Sequence, residues 1–210
     1  MKGLYAILDE NNFNFENLNS YIENMIKHNI KIFQIRIKSS YTEKKIKIIK
    51  SAKLLCKEKK CILLLNDNVK LARELDLDGI HIGIEDMNIL EAKKILGKDK
   101  IVGISCYNNL ESALYAEKHG ANYVSFGSLY KTTTKKNALN LNVETFKKAK
   151  NILNVPICLI GGINTSNVQD VIKLNCDLIA ISKGLSLENS VEIISKIYYE
   201  KNKTIQKSIH

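Results

Sequence analysis

Short apolar runs alternate along the chain with longer stretches whose apolar residues recur at helical spacing. The first run is Leu4-Tyr5-Ala6-Ile7-Leu8, followed by a helical stretch over residues 16–28. The second run, Lys31-Ile32-Phe33-Gln34-Ile35-Arg36, leads into a Lys-rich helix over 42–59, where Ile46, Ile49, Ala52 and Leu55 keep one face apolar. The third, Cys61-Ile62-Leu63-Leu64-Leu65, is followed by a short helix over 69–75, and the fourth is Gly79-Ile80-His81-Ile82. The second half repeats the rhythm. Strands are predicted at Ile101–Ile104, Tyr123–Phe126, Ile157–Ile160 and Asp177–Ile181, and helices over 110–119, 143–153, 166–174 and 188–199. Gly120 reads as the C-cap of the helix before it.

Strict alternation of strand and helix calls for a parallel sheet. Eight such units in about 200 residues suit a closed barrel better than an open sheet. A doubly wound sheet commonly carries a Gly-rich turn after its first strand, whereas Leu8 is followed here by Asp-Glu-Asn-Asn. The expected architecture is α/β, a single compact (β/α)8 TIM barrel over residues 1–200, with a polar, frayed tail over 201–210. No linker or fixed-period repeat divides the chain.

Composition narrows the function classes. Of 210 residues, 45% are hydrophobic and 26% charged, an ordinary globular balance that excludes disorder. The net charge is +10, but lysines are scattered and Arg36 and Arg73 are the two arginines. A nucleic-acid surface would gather its basic groups in one patch and favour Arg. A solvated basic face that also attracts anionic substrates is the expectation, with no nucleic-acid partner. The five cysteines form no C-x-x-C pair, and several sit in apolar runs. They read as free thiols in a reducing compartment, neither a disulfide frame nor a zinc site. No apolar run approaches the roughly 18 residues of a membrane span, and the N-terminus lacks a signal-peptide pattern. A cytoplasmic location follows as an expectation, and homo-oligomerisation is left open.

In a barrel of this kind chemistry gathers at the C-terminal strand ends. Alternation places Gln34, Arg36 and Lys38 on one face of the second strand. Three polar groups on a lumen face make sense around a polyanion; the bland alternative is a slipped, solvent-facing basic segment. Asn66-Asp67 ends the third strand and Glu85-Asp86 follows the fourth. Two carboxylates beside a polyanion site point to Mg²⁺, held by carboxylates, substrate phosphates and water. The competing readings are a turn and cap at Asn66-Asp67, and Asp86 as N-cap of the next helix. His81 reads as a core histidine with a satisfied hydrogen bond. Ser105 could donate to a phosphate or cap a helix. The polar loop of Ser128 to Lys136 suits a phosphate clamp. Gly161-Gly162 after strand seven and Ser182-Lys183-Gly184 after strand eight offer a second anion site. Two anion sites and a metal pair imply two phosphorylated substrates, or one doubly phosphorylated.

Taken together, these stretches resemble the thiamine phosphate synthase family, in the family's order from Gly3 to about Leu185. They are Gly3-Leu4-Tyr5-Ala6-Ile7, Gln34-Ile35-Arg36-Ile37-Lys38, Asn66-Asp67, Gly79-Ile80-His81-Ile82-Gly83-Ile84-Glu85-Asp86, Gly103-Ile104-Ser105, Thr132-Thr133-Thr134-Lys135, Gly161-Gly162-Ile163 and Ala180-Ile181-Ser182. The resemblance implies a transferase that joins 4-amino-2-methyl-5-(hydroxymethyl)pyrimidine diphosphate to 4-methyl-5-(2-hydroxyethyl)thiazole phosphate, giving thiamine phosphate and pyrophosphate. Carried over by position, Gln34, Arg36, Lys38, Asn66, Ser105 and Lys135 would hold the pyrimidine diphosphate. Of these, Arg36, Lys38, Ser105 and Lys135 would act on the leaving group. Thr132, Thr133, Thr134, Gly162, Ile181 and Ser182 would hold the thiazole phosphate, and Asp67 and Asp86 would bind Mg²⁺. Ile84 stands where the family usually has Gln, and Ser128 and Lys131 replace the common Gly and Pro flanks of the loop. The alternatives are a thiazole tautomerase on the same barrel, which would not need the metal pair, and a non-catalytic barrel that binds a phosphorylated ligand for regulation.

Overall fold

In the computed structural model the chain folds as a closed eight-stranded parallel barrel in which each strand pairs with its sequence neighbours and β8 closes on β1. The structure describes residues 1–83, 87–130 and 142–207, with side chains up to residue 201. The strands are β1 (Gly3–Asp9), β2 (Ile32–Arg36), β3 (Ile62–Asn66), β4 (Gly79–Gly83), β5 (Ile101–Tyr107), β6 (Tyr123–Phe126), β7 (Ile157–Ile160) and β8 (Leu178–Ile181). The helices are α1 (Leu18–Lys27), α2 (Glu43–Glu58), α3 (Val69–Glu74), α4 (Ile89–Leu96), α5 (Leu110–Lys118), α6 (Val143–Ile152), α7 (Val168–Lys173) and α8 (Ser190–Lys207). The expected (β/α)8 barrel is therefore the fold. One element differs: α8 continues into the segment assigned to a frayed tail. Residues 201–207 contain neither Gly nor Pro, so nothing in the backbone chemistry stops the helix at residue 200.

Two apolar layers hold the barrel. One lies between sheet and helices, where Phe33, Ile35, Leu65, Ile80 and Val124 meet helix residues such as Ile22, Ile49, Ala72 and Phe146. The other fills the lumen with Tyr5, Ile32, Leu64, Tyr123, Cys158, Leu178 and Ala180. Burial on both faces explains why the strands read as nearly unbroken apolar runs. The Asn-rich composition has a local use. Asn14, Asn68, Asn88, Asn109 and Asn142 each accept a backbone N–H from the first turn of the helix or 3-10 turn that follows. The five cysteines are free, four of them buried. Among the described residues, no helix is long and apolar enough to cross a membrane.

Candidate active site

A cavity of about 370 Å³ opens at the C-terminal ends of the strands. Gln34 and His81 on its lining lead into a chain of polar groups in the lumen beneath it. Gln34 Nε2 donates to the Tyr5 hydroxyl. Tyr5 and Tyr123 share a hydrogen bond of 3.0 Å, and His81 Nδ1 lies 2.8 Å from the Tyr123 hydroxyl. The His81 ring stacks on Tyr123 with centroids 5.6 Å apart. Burial raises both phenols: Tyr5 climbs although the bonds from Tyr123 and Gln34 oppose it, and the neighbouring Tyr5 pushes Tyr123 further. Both therefore stay neutral and serve as fixed dipoles. His81 has the satisfied hydrogen bond expected of it.

Above these groups the strands deliver the residues singled out from their ends. Gln34, Arg36, Asn66, Ser105, Gly162, Ile181 and Ser182 all line the one cavity. Arg36 pairs with Asp9, its register partner on β1. Asp9 is fully buried and also accepts the backbone N–H and side-chain amide of Asn11, each at 2.9 Å. The opposite wall is small and backbone-rich. Gly161 and Gly162 adopt φ of 112° and 64°, and a Cβ on Gly161 would fall 2.0 Å from Ser128 Oγ. Ser182, Lys183 and Gly184 continue that wall. Asn12 Nδ2 donates to Ser182 Oγ at 3.2 Å, tying the β1 loop to it.

Three readings are corrected. Lys38 does not share the lumen face of Gln34 and Arg36, because β2 ends at Arg36 and the alternation stops there. Its backbone N–H is instead taken by the Glu10 carboxylate at 2.6 Å, and its side chain pairs with Asp67 at the rim. Ser105 lies inside β5, which runs on to Tyr107, and caps no helix; the cap of α5 is Asn109. The capping roles considered for the two carboxylates belong to other residues. Asn68 caps α3, accepting from the Leu71 N–H at 3.1 Å, and Asn88 caps α4, accepting from the Leu90 N–H at 2.8 Å. Asp67 is thereby freed from that explanation. Asp86, Thr132, Thr133, Thr134 and Lys135 lie outside the described residues.

Asp67 is the described carboxylate best placed for a cation. It occupies a left-handed conformation, φ 61°, just past β3, with its N–H donated to the His81 carbonyl at 2.9 Å. Its Oδ2 accepts from Lys38 Nζ and from Asn66 Nδ2. No other hydrogen bond to this carboxylate forms among the described residues, so Oδ1 remains available as a hard oxygen donor. No group of three His, Cys, Asp or Glu gathers as a metal cluster among the described residues. One or two carboxylates beside substrate phosphates is what Mg²⁺ requires, and Asp67 fits that donor set.

Asp9, Tyr5, Tyr123 and Ser125 escaped the sequence reading as site residues. Asp9 could have been found, since it too is a polar residue ending an apolar run. Ser125 and the two tyrosines sit within their runs and give no such signal.

Comparison with known proteins agrees with the geometry. The family model described as thiamine monophosphate synthase matches residues 4–185. A thiamine-phosphate synthase from Nitrosomonas eutropha is 35% identical over 205 residues, covering 94% of this chain and 95% of that protein. One from Methylococcus capsulatus is 39% identical over 179 residues, 85% of this chain and 80% of that protein. The solved structure of thiamine phosphate pyrophosphorylase from Pyrococcus furiosus superimposes with a TM-score of 0.81 at 33% identity, covering 94% and 95% of the two chains. On the match over most of its length, the chain belongs to the thiamine monophosphate synthase family.

Proposed function

We propose that the protein joins 4-amino-2-methyl-5-(hydroxymethyl)pyrimidine diphosphate to 4-methyl-5-(2-hydroxyethyl)thiazole phosphate, releasing pyrophosphate and forming thiamine phosphate. The observation that carries this reading is a cavity with two unlike walls, each with groups suited to an anion. One presents Arg36, Asn66 and Ser105, with Lys38 and Asp67 at its rim; the other presents Gly162 and the Ser182–Gly184 turn. A barrel with one phosphate-binding wall would serve a tautomerase, and would leave the Lys38–Asp67–Asn66 cluster without work.

The chemistry follows from charge. The bond between the exocyclic methylene and the diphosphate oxygen breaks with both electrons leaving on oxygen. The aminopyrimidine ring delocalises the resulting cation. Arg36 and Lys38 stabilise charge growing on the departing diphosphate, and Ser105 and Asn66 donate hydrogen bonds to its oxygens. Asp9 fixes the Arg36 guanidinium so that little reorganisation accompanies the charge change. Lys135 is assigned to the same diphosphate. Thr132, Thr133, Thr134, Gly162, Ile181 and Ser182 hold the thiazole phosphate. The thiazole nitrogen then adds its lone pair to the methylene carbon, a step that needs no general base. Asp67, with Asp86, would hold Mg²⁺, which supplies charge neutralisation to the leaving diphosphate. Asp86 follows the end of β4, the strand beside β3, three positions past Gly83. The experiment is to mix both substrates with the protein and Mg²⁺ and assay for thiamine phosphate and pyrophosphate. Absence of both products from folded protein would overturn the reading; conversion of a thiazole isomer without the pyrimidine substrate would favour the tautomerase.

A further inference from the structure

Ser125 lies in the middle of β6 and lines the cavity. Its Oγ is enclosed, on a residue only 2% exposed, and has no hydrogen-bond partner among the described residues. The register places Ser105 of β5 and Cys158 of β7 beside it. Tyr123, two residues earlier on the same face, already engages both Tyr5 and His81, so those polar groups leave Ser125 unserved. Among the described residues three other buried side-chain atoms lack partners, on Asn19, Tyr41 and Ser195, and none of those residues lines the cavity. A buried hydroxyl without a partner costs stability, and one that faces a ligand cavity recovers that cost when a ligand group meets it.

We infer that Ser125 accepts a hydrogen bond from the exocyclic amine of the pyrimidine substrate and so selects an amino-substituted ring. This rests on the reaction proposed above. Of the two heterocycles, the thiazole must keep its nitrogen lone pair free to form the new bond, and a hydroxyl donating there would block it. The aminopyrimidine has N–H groups to give. A hydroxyl oxygen accepting one of them pushes the amine lone pair toward the ring. That is the direction in which the cation at the exocyclic methylene draws electrons. The amine keeps its proton throughout. The contact therefore strengthens as the diphosphate departs, and it contributes to turnover as well as to binding. Ser125 also sits at the right depth. Arg36, Lys38 and Asp67 gather the charged groups at the strand ends, which leaves the ring for the lumen below them.

The test is calorimetry with three probes on the wild type, Ser125→Ala and Ser125→Gly. The probes are 4-amino-5-hydroxymethyl-2-methylpyrimidine, its counterpart lacking the amine, and inorganic pyrophosphate. The wild type is expected to prefer the amino ring by about tenfold. Both variants should lose that preference, keep pyrophosphate affinity, and show reduced kcat in the complete reaction. Because the hydroxyl has no partner among the described residues, Ser125→Ala should melt at the same temperature as the wild type or higher. An unchanged preference in both variants, with wild-type turnover intact, overturns the inference alone. A clear fall in the melting temperature of Ser125→Ala also overturns it, since the hydroxyl would then be held by the protein. Failure of the wild type to form thiamine phosphate overturns the reaction instead; loss of ring preference in the variants would still support the contact.

Discussion

Arg36 and Asp9 face each other across the β1–β2 ladder, and the guanidinium is clamped on a carboxylate that has no contact with solvent. The cation that the sequence offers as a free polyanion ligand is thus half of a neutral pair. Asn11 holds the other side of the Asp9 carboxylate, so the pair enters the cavity wall as one rigid unit. A guanidinium already fixed on the cavity wall pays less rotamer entropy when a diphosphate arrives.

Removing Arg36 should therefore cost the fold as well as the substrate. Arg36→Ala leaves Asp9 buried and unpaired, a change worth about 3 kcal/mol or more. The expected result in urea is a lower unfolding midpoint, with part of the loss recovered when Asp9→Asn is added. A double-mutant cycle measures the coupling. Weaker pyrophosphate binding by Arg36→Ala should be read under conditions where the variant is still folded. Additive losses in the cycle would mean that the two residues do not act as a unit.

Asp67 offers a cleaner substitution. Its φ of 61° is a conformation that Asn tolerates nearly as well as Asp. Asp67→Asn removes the charge and keeps the local backbone. The variant should melt within a few degrees of the wild type while its requirement for Mg²⁺ rises about tenfold or more, the scale of one lost charge-assisted contact. Titrating activity against Mg²⁺ checks this. Unchanged Mg²⁺ dependence in both Asp67→Asn and Asp86→Asn would remove the metal assignment.

The strand ends were legible because burial on both faces makes each strand an apolar run, so a polar residue at its end stands out. That rule located Gln34, Arg36, Asn66 and Ser105 on the cavity. It failed for Lys38 because alternation says nothing about where a strand stops, and here a carboxylate from the preceding loop captures the backbone just past Arg36. The cluster Asn66-Asp67-Asn68 was ambiguous because all three side chains can cap a helix; only geometry shows that Asn68 does so. Tyr5, Tyr123 and Ser125 were hidden for the opposite reason. Inside an apolar run, an aromatic or a small hydroxyl looks like packing; the partner that Tyr5 finds on Tyr123 lies over a hundred residues away, and Ser125 has none among the described residues.

That capturing carboxylate, Glu10, gives a pH prediction. Burial by itself would raise its pKa. Lys45, the Ser39 hydroxyl and the backbone N–H groups of Ser39 and Lys38 outweigh that effect and bring the pKa from 4.5 to about 2. The folded chain thus holds this proton less readily than the unfolded chain does. The stabilisation is complete above the ordinary value of 4.5 and drains away as the pH falls toward about 2. Glu10→Gln should be about 1–2 kcal/mol less stable than the wild type at pH 7, a figure discounted for its position at the rim. The gap should narrow as the pH falls through the ordinary value and close only below about pH 2, where the folded wild type too carries a neutral group at this position. Urea denaturation at several pH values checks it. A gap that stays constant with pH would show that the charge on Glu10 does not hold the Lys38 segment.

The polar groups beneath the cavity rest on a residue with no side chain at all. A Cβ on Gly103 would lie 2.0 Å from Cζ of Tyr123, 2.2 Å from Cε1 and 2.4 Å from the hydroxyl. The ring has no room to retreat, being fully buried, stacked on His81 and bound through its hydroxyl to Tyr5. Gly103→Ala must therefore displace Tyr123 and break the chain of polar groups beneath the site, and overpacking of this kind costs about 2–3 kcal/mol. Because the ring carbons clash as well as the hydroxyl, adding Tyr123→Phe should not restore stability, whereas adding Tyr123→Leu should recover part of it. Thermal unfolding followed by circular dichroism distinguishes the two. Rescue by Tyr123→Phe would mean that the hydroxyl alone is crowded and that the ring does not cover Gly103.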